Sequence, residues 1–355
     1  MPGLLVLTAS AGRLDITMSL PIVDISPYLA DDFVYPPTAK QLACSAAIHQ
    51  ACLDFGFFYI TGLGIPRQDF DDILELSKQF FDLPVDVKEA LSIASTSNGT
   101  DGARGYQKLK ENTTLGKLDF HEGLDFYRPV EDDSNQELPL HGQNQWPSEA
   151  EVPSFRTKVQ KWMETMLKLG RILVLATGVG LGMDDGELED LLSLVDESFW
   201  VMRCIGYPPL PDTHDGVSCG AHKDYGCYTL LHATPQTGAL KVYRPKTGEW
   251  VDADPIPEHL VINIGEMWEV WTNGLYKSTL HKVIHQGDSY RVSVPFFFEP
   301  NWHAEIRPLD AAMRIQEAND QDVGTAKKSV IYGDFLTKKV AGNFSINGKT
   351  TGKRY

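Results

Sequence analysis

From residue 199 onward the chain gives up helical periodicity for a succession of short apolar segments separated by turn residues, at 200–207, 229–233, 239–243, 249–252, 260–264, 279–284 and 290–298. Short strands of this kind bury their apolar sides only by closing on one another. The spacing therefore predicts an α+β fold with a double-stranded β-helix, or jelly roll, as its core. Ahead of it, Phe155, Val159, Trp162, Met166, Leu169 and Leu173 recur at steps of four and three within 150–177. That is one stripe of a long amphipathic helix, expected to brace the sheet.

The strand-rich region also carries the chemistry. In an extended strand alternate side chains share a face, so His222 and Asp224 would point one way and Lys223 the other. His281 supplies a natural third ligand. Two imidazoles and a carboxylate occupy three positions of an octahedral iron(II) and leave three open for substrate and oxygen. Ten residues on, Arg291 and Ser293 share a face by the same alternation, and a guanidinium with a hydroxyl can grip a ligand carboxylate. A His-x-Asp pair alone is common on surfaces, and an Arg near a Ser is usually structural. In this order and spacing they point together to metal-assisted chemistry.

The remaining composition narrows the partners. With 32 basic and 48 acidic residues the net charge of −16 argues against nucleic acid. Five cysteines without regular spacing, Cys44, Cys52, Cys204, Cys219 and Cys227, indicate neither a disulfide framework nor a zinc ribbon, and they fit a reducing compartment. No run is long enough to span a membrane. Residues 1–18 read as a disordered extension. Strands are expected at 20–26, 57–60 and 119–127. Helices are expected at 38–55, 68–81, 85–93 and 327–340, the last capped by Gly342 and Asn343. No linker separates independent domains, so an N-terminal region at 19–150 and a helix-braced region at 151–355, with its catalytic core at about 199–300, are expected to form one unit.

The motifs carry a family likeness. Leu20-Pro21-Ile22-Val23-Asp24, Gly56-Phe57-Phe58-Tyr59-Ile60, His222-Lys223-Asp224-Tyr225-Gly226, Asn263-Ile264-Gly265, the stretch from Trp271 to His281 and Arg291-Val292-Ser293 resemble, in order and spacing, the iron(II)- and 2-oxoglutarate-dependent oxygenases of the isopenicillin N synthase-like branch. The resemblance runs from about residue 20 to 344. It implies His222, Asp224 and His281 as metal ligands and Arg291 and Ser293 as the hold on the far carboxylate of 2-oxoglutarate. Tyr207, in Tyr207-Pro208-Pro209, is implied as a further contact to that carboxylate.

The activity implied is oxidation of a small molecule, by hydroxylation, desaturation or ring closure. Oxygen is consumed, succinate and CO2 are released, and ascorbate serves as a possible reductant. A monomer in the cytoplasm, with no nucleic-acid or membrane partner, is expected. Two alternatives remain: an iron oxidase of the same fold that does not use 2-oxoglutarate, and a non-catalytic ligand-binding relative. For the substrate pocket, position selects Tyr106, Phe120, Glu122, Phe126 and Phe297, whereas His232, Cys219 and Cys227 read as packing residues.

Overall fold

Thr38 starts the first helix with a reciprocal cap: its hydroxyl accepts from the Gln41 backbone N–H, and the Gln41 side chain accepts from the Thr38 N–H. In the computed structural model, which describes residues 19–30, 33–92, 104–111, 113–114, 117–129, 140, 142–211, 217–319 and 327–343, this helix is α1 (Ala39–Asp54). The expectation for 1–18 falls outside the described residues. Before α1, β1 (Ile22–Asp24) is shorter than the sequence reading, because Pro27 opens a 3-10 turn at Ser26–Tyr28. β2 (Phe57–Thr61) follows and pairs parallel with β1. Next come α2 (Arg67–Phe81) and, after Pro84, α3 (Val85–Ala90), which ends three residues before its expected limit.

β3 (Gly105–Gln107), the small β4 (Thr113–Thr114) and β5 (Lys117–Leu118), and β6 (Glu122–Tyr127) complete the front half. The strand expected from 119 begins only at Glu122, since the Phe120 N–H turns away to donate to Ser218 O. α4 (Phe155–Gly180) begins five residues late because 148–154 is a turn, where Glu151 and Glu149 carboxylates accept from the Ser148 and Ser154 N–H groups. α5 (Asp185–Ser193) went unread in the sequence although Asp184 and Glu187 form its capping box.

The strand-rich half then runs β7 (Val201–Tyr207), β8 (Val217–His222), β9 (Tyr228–Ala233), β10 (Leu240–Arg244), β11 (Glu249–Asp252), β12 (Leu260–Ile264), the short helix α6 (Glu266–Trp271), β13 (His281–Ile284) and β14 (Arg291–Phe298). β15 (Glu305–Ile306), α7 (Asp310–Ala318), β16 (Val330–Ile331) and α8 (Tyr332–Asn343) close the chain. The last helix begins at Tyr332 and not 327, because Val330 and Ile331 pair with β15. Gly342 and Asn343 lie inside it instead of capping it.

Two sheets face each other. The larger has the order β1-β2-β12-β9-β14-β7-β6-β3 and the smaller β11-β10-β13-β8. Between them lies a core of Phe57, Tyr59, Ile205, Tyr207, Leu240, Val242, Val261 and Val283. The outer face of the larger sheet packs on α1, α2 and α4 through a second core that includes Val292, Val294, Phe296 and Phe298. Both faces of β14 are thus covered, which is why it reads as an almost continuous apolar run. α4 comes so close that a Cβ on Gly170 would lie 2.3 Å from Phe298 Cδ2. The result is the α+β jelly roll that the strand spacing predicts.

Candidate active site

The last residue of β8, His222, stands directly opposite the first residue of β13, His281, in the antiparallel ladder. Their ring centroids are 4.3 Å apart. Each imidazole is turned by its own loop: Nδ1 of His222 is 2.8 Å from Gly220 O and Nδ1 of His281 is 3.1 Å from Thr279 O. With Nδ1–H donating to a carbonyl, each Nε2 lone pair is left facing the interior.

Asp224 arrives differently from the sequence expectation. It lies beyond the end of β8, not on the strand, and is fixed by two donors, Thr229 Oγ1 from β9 and Asn263 Nδ2 from β12 at 2.6 Å, both to Oδ2. Its Oδ1 is left 3.7 Å from His222 Nε2 and 3.6 Å from His281 Nε2. The three candidate ligand atoms lie within 4.8 Å of one another, and among the described residues no other His, Cys, Asp and Glu group meets that condition. Lys223 does turn away, toward Glu269 at 3.4 Å.

The electrostatics favour a cation in this cage. Burial and the charge of His222 push His281 down to about 4, so it is a neutral donor at pH 7. For His222 burial opposes the charged form, but the Cys219 sulfur and Asp224 outweigh it and raise the group to about 10. For Asp224, burial is outweighed by the two imidazoles, Thr229 and Asn263, which hold the carboxyl below its usual range. Once His222 gives up its proton to an incoming cation, two imidazole nitrogens and one carboxylate oxygen with satisfied outer partners form the donor set that iron(II) takes in a facial triad. Phe57 lies edge-on to His281 at 5.2 Å and closes one side.

Deeper in the interior, Arg291 pairs with Tyr207 across β14 and β7, and Ser293 pairs with Ile205. The Arg291 guanidinium lies 4.8 Å from the centre of the Tyr207 ring and is 2% exposed, yet its Nε and Nη1 have no hydrogen-bond partner. Burial lowers its pKa from the usual arginine value, with Tyr207 opposing the shift.

The pocket candidates separate by strand face. Glu122 and Tyr106 point to the helices, where Glu122 accepts from Tyr106 Oη (2.6 Å), Tyr290 Oη (2.7 Å) and Lys88 Nζ (2.7 Å). Phe126 stacks on Trp146 and packs near Phe155 of α4. These three are core residues, because alternation places them on the outer face. Phe297 shares the inner face with Arg291 and Ser293, and Phe120 is buried beside β8. His232 sits on the outer face against Phe70 and Trp162. Cys227 is buried, and the partly buried Cys219 lies 3.9 Å from His222 Nδ1.

Thr229 and Asn263, which aim Asp224, were not singled out from sequence as its partners. Nor were Arg203 and Asp125, an inner-face ion pair at 2.8 Å. A single arginine inside the apolar run 200–207 was the available signal.

A jelly roll holding such a cage defines a class, the mononuclear non-haem metal enzymes. Comparison with known proteins narrows it. Residues 20–149 match the model of the non-haem dioxygenase N-terminal region and residues 197–300 that of the 2OG-Fe(II) oxygenase superfamily. A homoarginine-6-hydroxylase of Glycine max is 36% identical over 92% of this chain and 97% of its own length. A 2-oxoglutarate-dependent dioxygenase of Aspergillus niger is 31% identical over 93% of this chain and 95% of its own. Among solved structures, a putative 2OG-Fe(II) oxygenase family protein from Caulobacter crescentus superimposes with a TM-score of 0.73 at 26% identity, covering 91% of this chain and 98% of that one. The chain belongs to the 2OG-Fe(II) oxygenase superfamily. It is a 2-oxoglutarate-dependent non-haem iron dioxygenase.

Proposed function

We propose that His222, Asp224 and His281 hold the iron, that Arg291, Ser293 and Tyr207 hold the far carboxylate of 2-oxoglutarate, and that the enzyme hydroxylates a C–H bond of a small molecule. The observation that carries this reading is the Arg291 guanidinium, buried with two N–H-bearing nitrogens unpartnered. A buried charge without a counter-charge is costly, and a carboxylate accepting from two nitrogens at once removes that cost.

Bound in this interior, iron(II) and 2-oxoglutarate supply the oxidising chemistry, in which one oxygen atom of O2 goes to succinate as CO2 leaves and the other to the substrate. The chain's own residues supply position and dryness. Gly220 and Thr279 carbonyls fix the two imidazole tautomers, and Thr229 with Asn263 leaves one Asp224 oxygen free. Tyr207 covers one face of the Arg291 guanidinium, so its in-plane donors aim at one carboxylate. Phe57 lines the interior as an apolar wall and keeps water from it.

Hydroxylation is preferred to desaturation or ring closure because four relatives at 35–36% identity are named as homoarginine-6-hydroxylases. A monomeric enzyme acting without nucleic acid or membrane fits the net charge of −16 and the lack, among the described residues, of any helix long and apolar enough to cross a membrane. Five free cysteines fit a cytoplasmic site. The regions 19–150 and 151–355 act as one unit, a reading supported by β1, β2, β3 and β6 joining the catalytic sheet.

The test is succinate release from 2-oxoglutarate with iron(II) and O2 while candidate small molecules are supplied. Oxygen uptake with substrate conversion but no succinate would instead favour an oxidase of the same fold.

A further inference from the structure

The inner face of the larger sheet holds a second polar group that the iron and co-substrate do not use. Arg203 on β7 lies on the same face as Ile205 and Tyr207, which belong to the core between the sheets. It pairs with Asp125 across to β6, and Asp125 pairs with Gly105 on β3. Arg203 Nε donates to Asp125 Oδ1 at 2.8 Å, and Nη2 donates to Gln107 Oε1 at 2.9 Å. The fork is therefore held rigidly by two neighbouring strands.

What remains after those bonds is the informative part. Arg203 Nη1, Asp125 Oδ2 and Gln107 Nε2 have no hydrogen-bond partner among the described residues. Asp125 is only 4% exposed, but solvent reaches 23% of the Arg203 side chain although it projects from the barrel's inner wall. Solvent therefore reaches the Arg203 end of this pair. Gly123, on the same face, leaves the pair uncovered, since any side chain there would begin 3.4 Å from both Arg203 Nη2 and Asp125 Oδ1.

The register sets its depth. Val201, the next inner-face residue toward the metal, is opposite Phe297, and Phe297 is opposite Thr229, the residue bonded to Asp224. Tyr207, on the other side, is opposite Arg291. The patch thus sits between the level of the iron ligands and the level of the clamp, displaced toward the β3 edge of the sheet. That is where a molecule presented to the metal beside the co-substrate would be gripped. Burial holds the Asp125 carboxyl above its usual range even with Arg203 adjacent, so a second positive group there is favoured.

We propose that Arg203, Asp125 and Gln107 form the subsite that anchors the substrate, and that the substrate carries a zwitterionic α-amino-acid head. Its carboxylate accepts from Arg203 Nη1, and its ammonium donates to Asp125 Oδ2. A free guanidinium N–H donor beside a free carboxylate oxygen complements that head, whereas a neutral or purely anionic group would leave one of the two unpaired. The inference rests on the reading of the interior as an iron and 2-oxoglutarate site.

The test is calorimetric titration of the native protein, with and without iron(II) and 2-oxoglutarate, using L-homoarginine, L-arginine, L-lysine, L-leucine and L-phenylalanine, and the amine counterpart of each that lacks the carboxylate. At least one amino acid is expected to bind, with its amine counterpart weaker by roughly tenfold or more. Arg203→Gln should reduce that affinity by a similar factor while leaving the affinity for 2-oxoglutarate within about twofold, in protein whose melting curve shows it folded. Should Arg203→Gln not fold, the comparison of acid with amine on native protein still decides. Binding of no amino acid, or equal binding of acid and amine, overturns the subsite. Arg203-dependent amino-acid binding without 2-oxoglutarate binding would instead sustain the subsite and overturn the co-substrate reading.

Discussion

Tyr290 and Arg291 are neighbours in the chain, yet they face opposite sides of the larger sheet and differ in how their polar atoms are satisfied. On the outer side, Tyr290 donates to Glu122, which also accepts from Tyr106 and Lys88, and Lys88 donates its remaining reach to Phe81 O at 2.8 Å. The network is closed within the protein. On the inner side, Arg291 is buried as Glu122 is, but two of its nitrogens bond to nothing. Glu122 and Arg291 are both charged and buried, so burial alone does not separate structure from function. The unmet donors of a buried charge do, because a guanidinium held without a counter-charge calls for a partner of opposite sign.

The contrast can be broken from either side. The largest effect is expected at the cage: His281→Ala or Asp224→Ala should abolish iron-dependent turnover and iron(II) binding, and metal binding at native affinity in either variant would remove that residue from the ligand set. On the outer side, Lys88→Met should leave Glu122 with less compensation and cost about 3–5 kcal/mol of stability, the range for a buried ion pair losing one member. The same variant should keep its affinity for 2-oxoglutarate within about twofold, as measured by titration at a temperature where it remains folded. A large loss of co-substrate affinity there would show that the two faces are not independent.

Arg291→Leu should do the reverse. It should raise the 2-oxoglutarate concentration for half-saturation by roughly tenfold or more, the effect of losing a charge-assisted hydrogen bond of about 1.5–3 kcal/mol. Its melting temperature should change little or rise, since an unpaired buried charge is removed. The smallest effect concerns His232, whose outer-face burial pushes it down to about 4. The unfolded chain, with an ordinary histidine, takes up a proton below about pH 6.5 that the folded protein refuses. Stability therefore falls as pH drops from 6.5 toward 4, by about 1–3 kcal/mol at most, and His232→Phe should flatten that slope in denaturant titrations.

Much of this was legible before the fold was known, for a physical reason. The proposed iron ligands and the proposed clamp lie at fixed intervals on or beside strands, and period-two alternation converts spacing into shared faces. What alternation could not give was the partner across the sheet. Asp224 is aimed by Thr229 and Asn263 from two other strands, and His222 meets His281 only through the β8–β13 register. Position alone, without knowing which face of 122–127 looked inward, offered Glu122 and Phe126 for the pocket and passed over Asp125. β8 was legible only at its His222 end, because Val217-Ser218-Cys219-Gly220-Ala221 has little apolar alternation. α5 and α7 are short surface helices whose caps were weaker signals than the strands.

The central claim, that Arg291 waits for a second carboxylate, is tested most directly by comparing 2-oxoglutarate with 2-oxovalerate, which keeps the keto acid and replaces the far carboxylate by a methyl group. The iron(II)-loaded native protein should bind 2-oxoglutarate roughly tenfold or more tightly than 2-oxovalerate, and Arg291→Leu should erase the difference. Equal affinity of the native protein for the two acids would contradict the account.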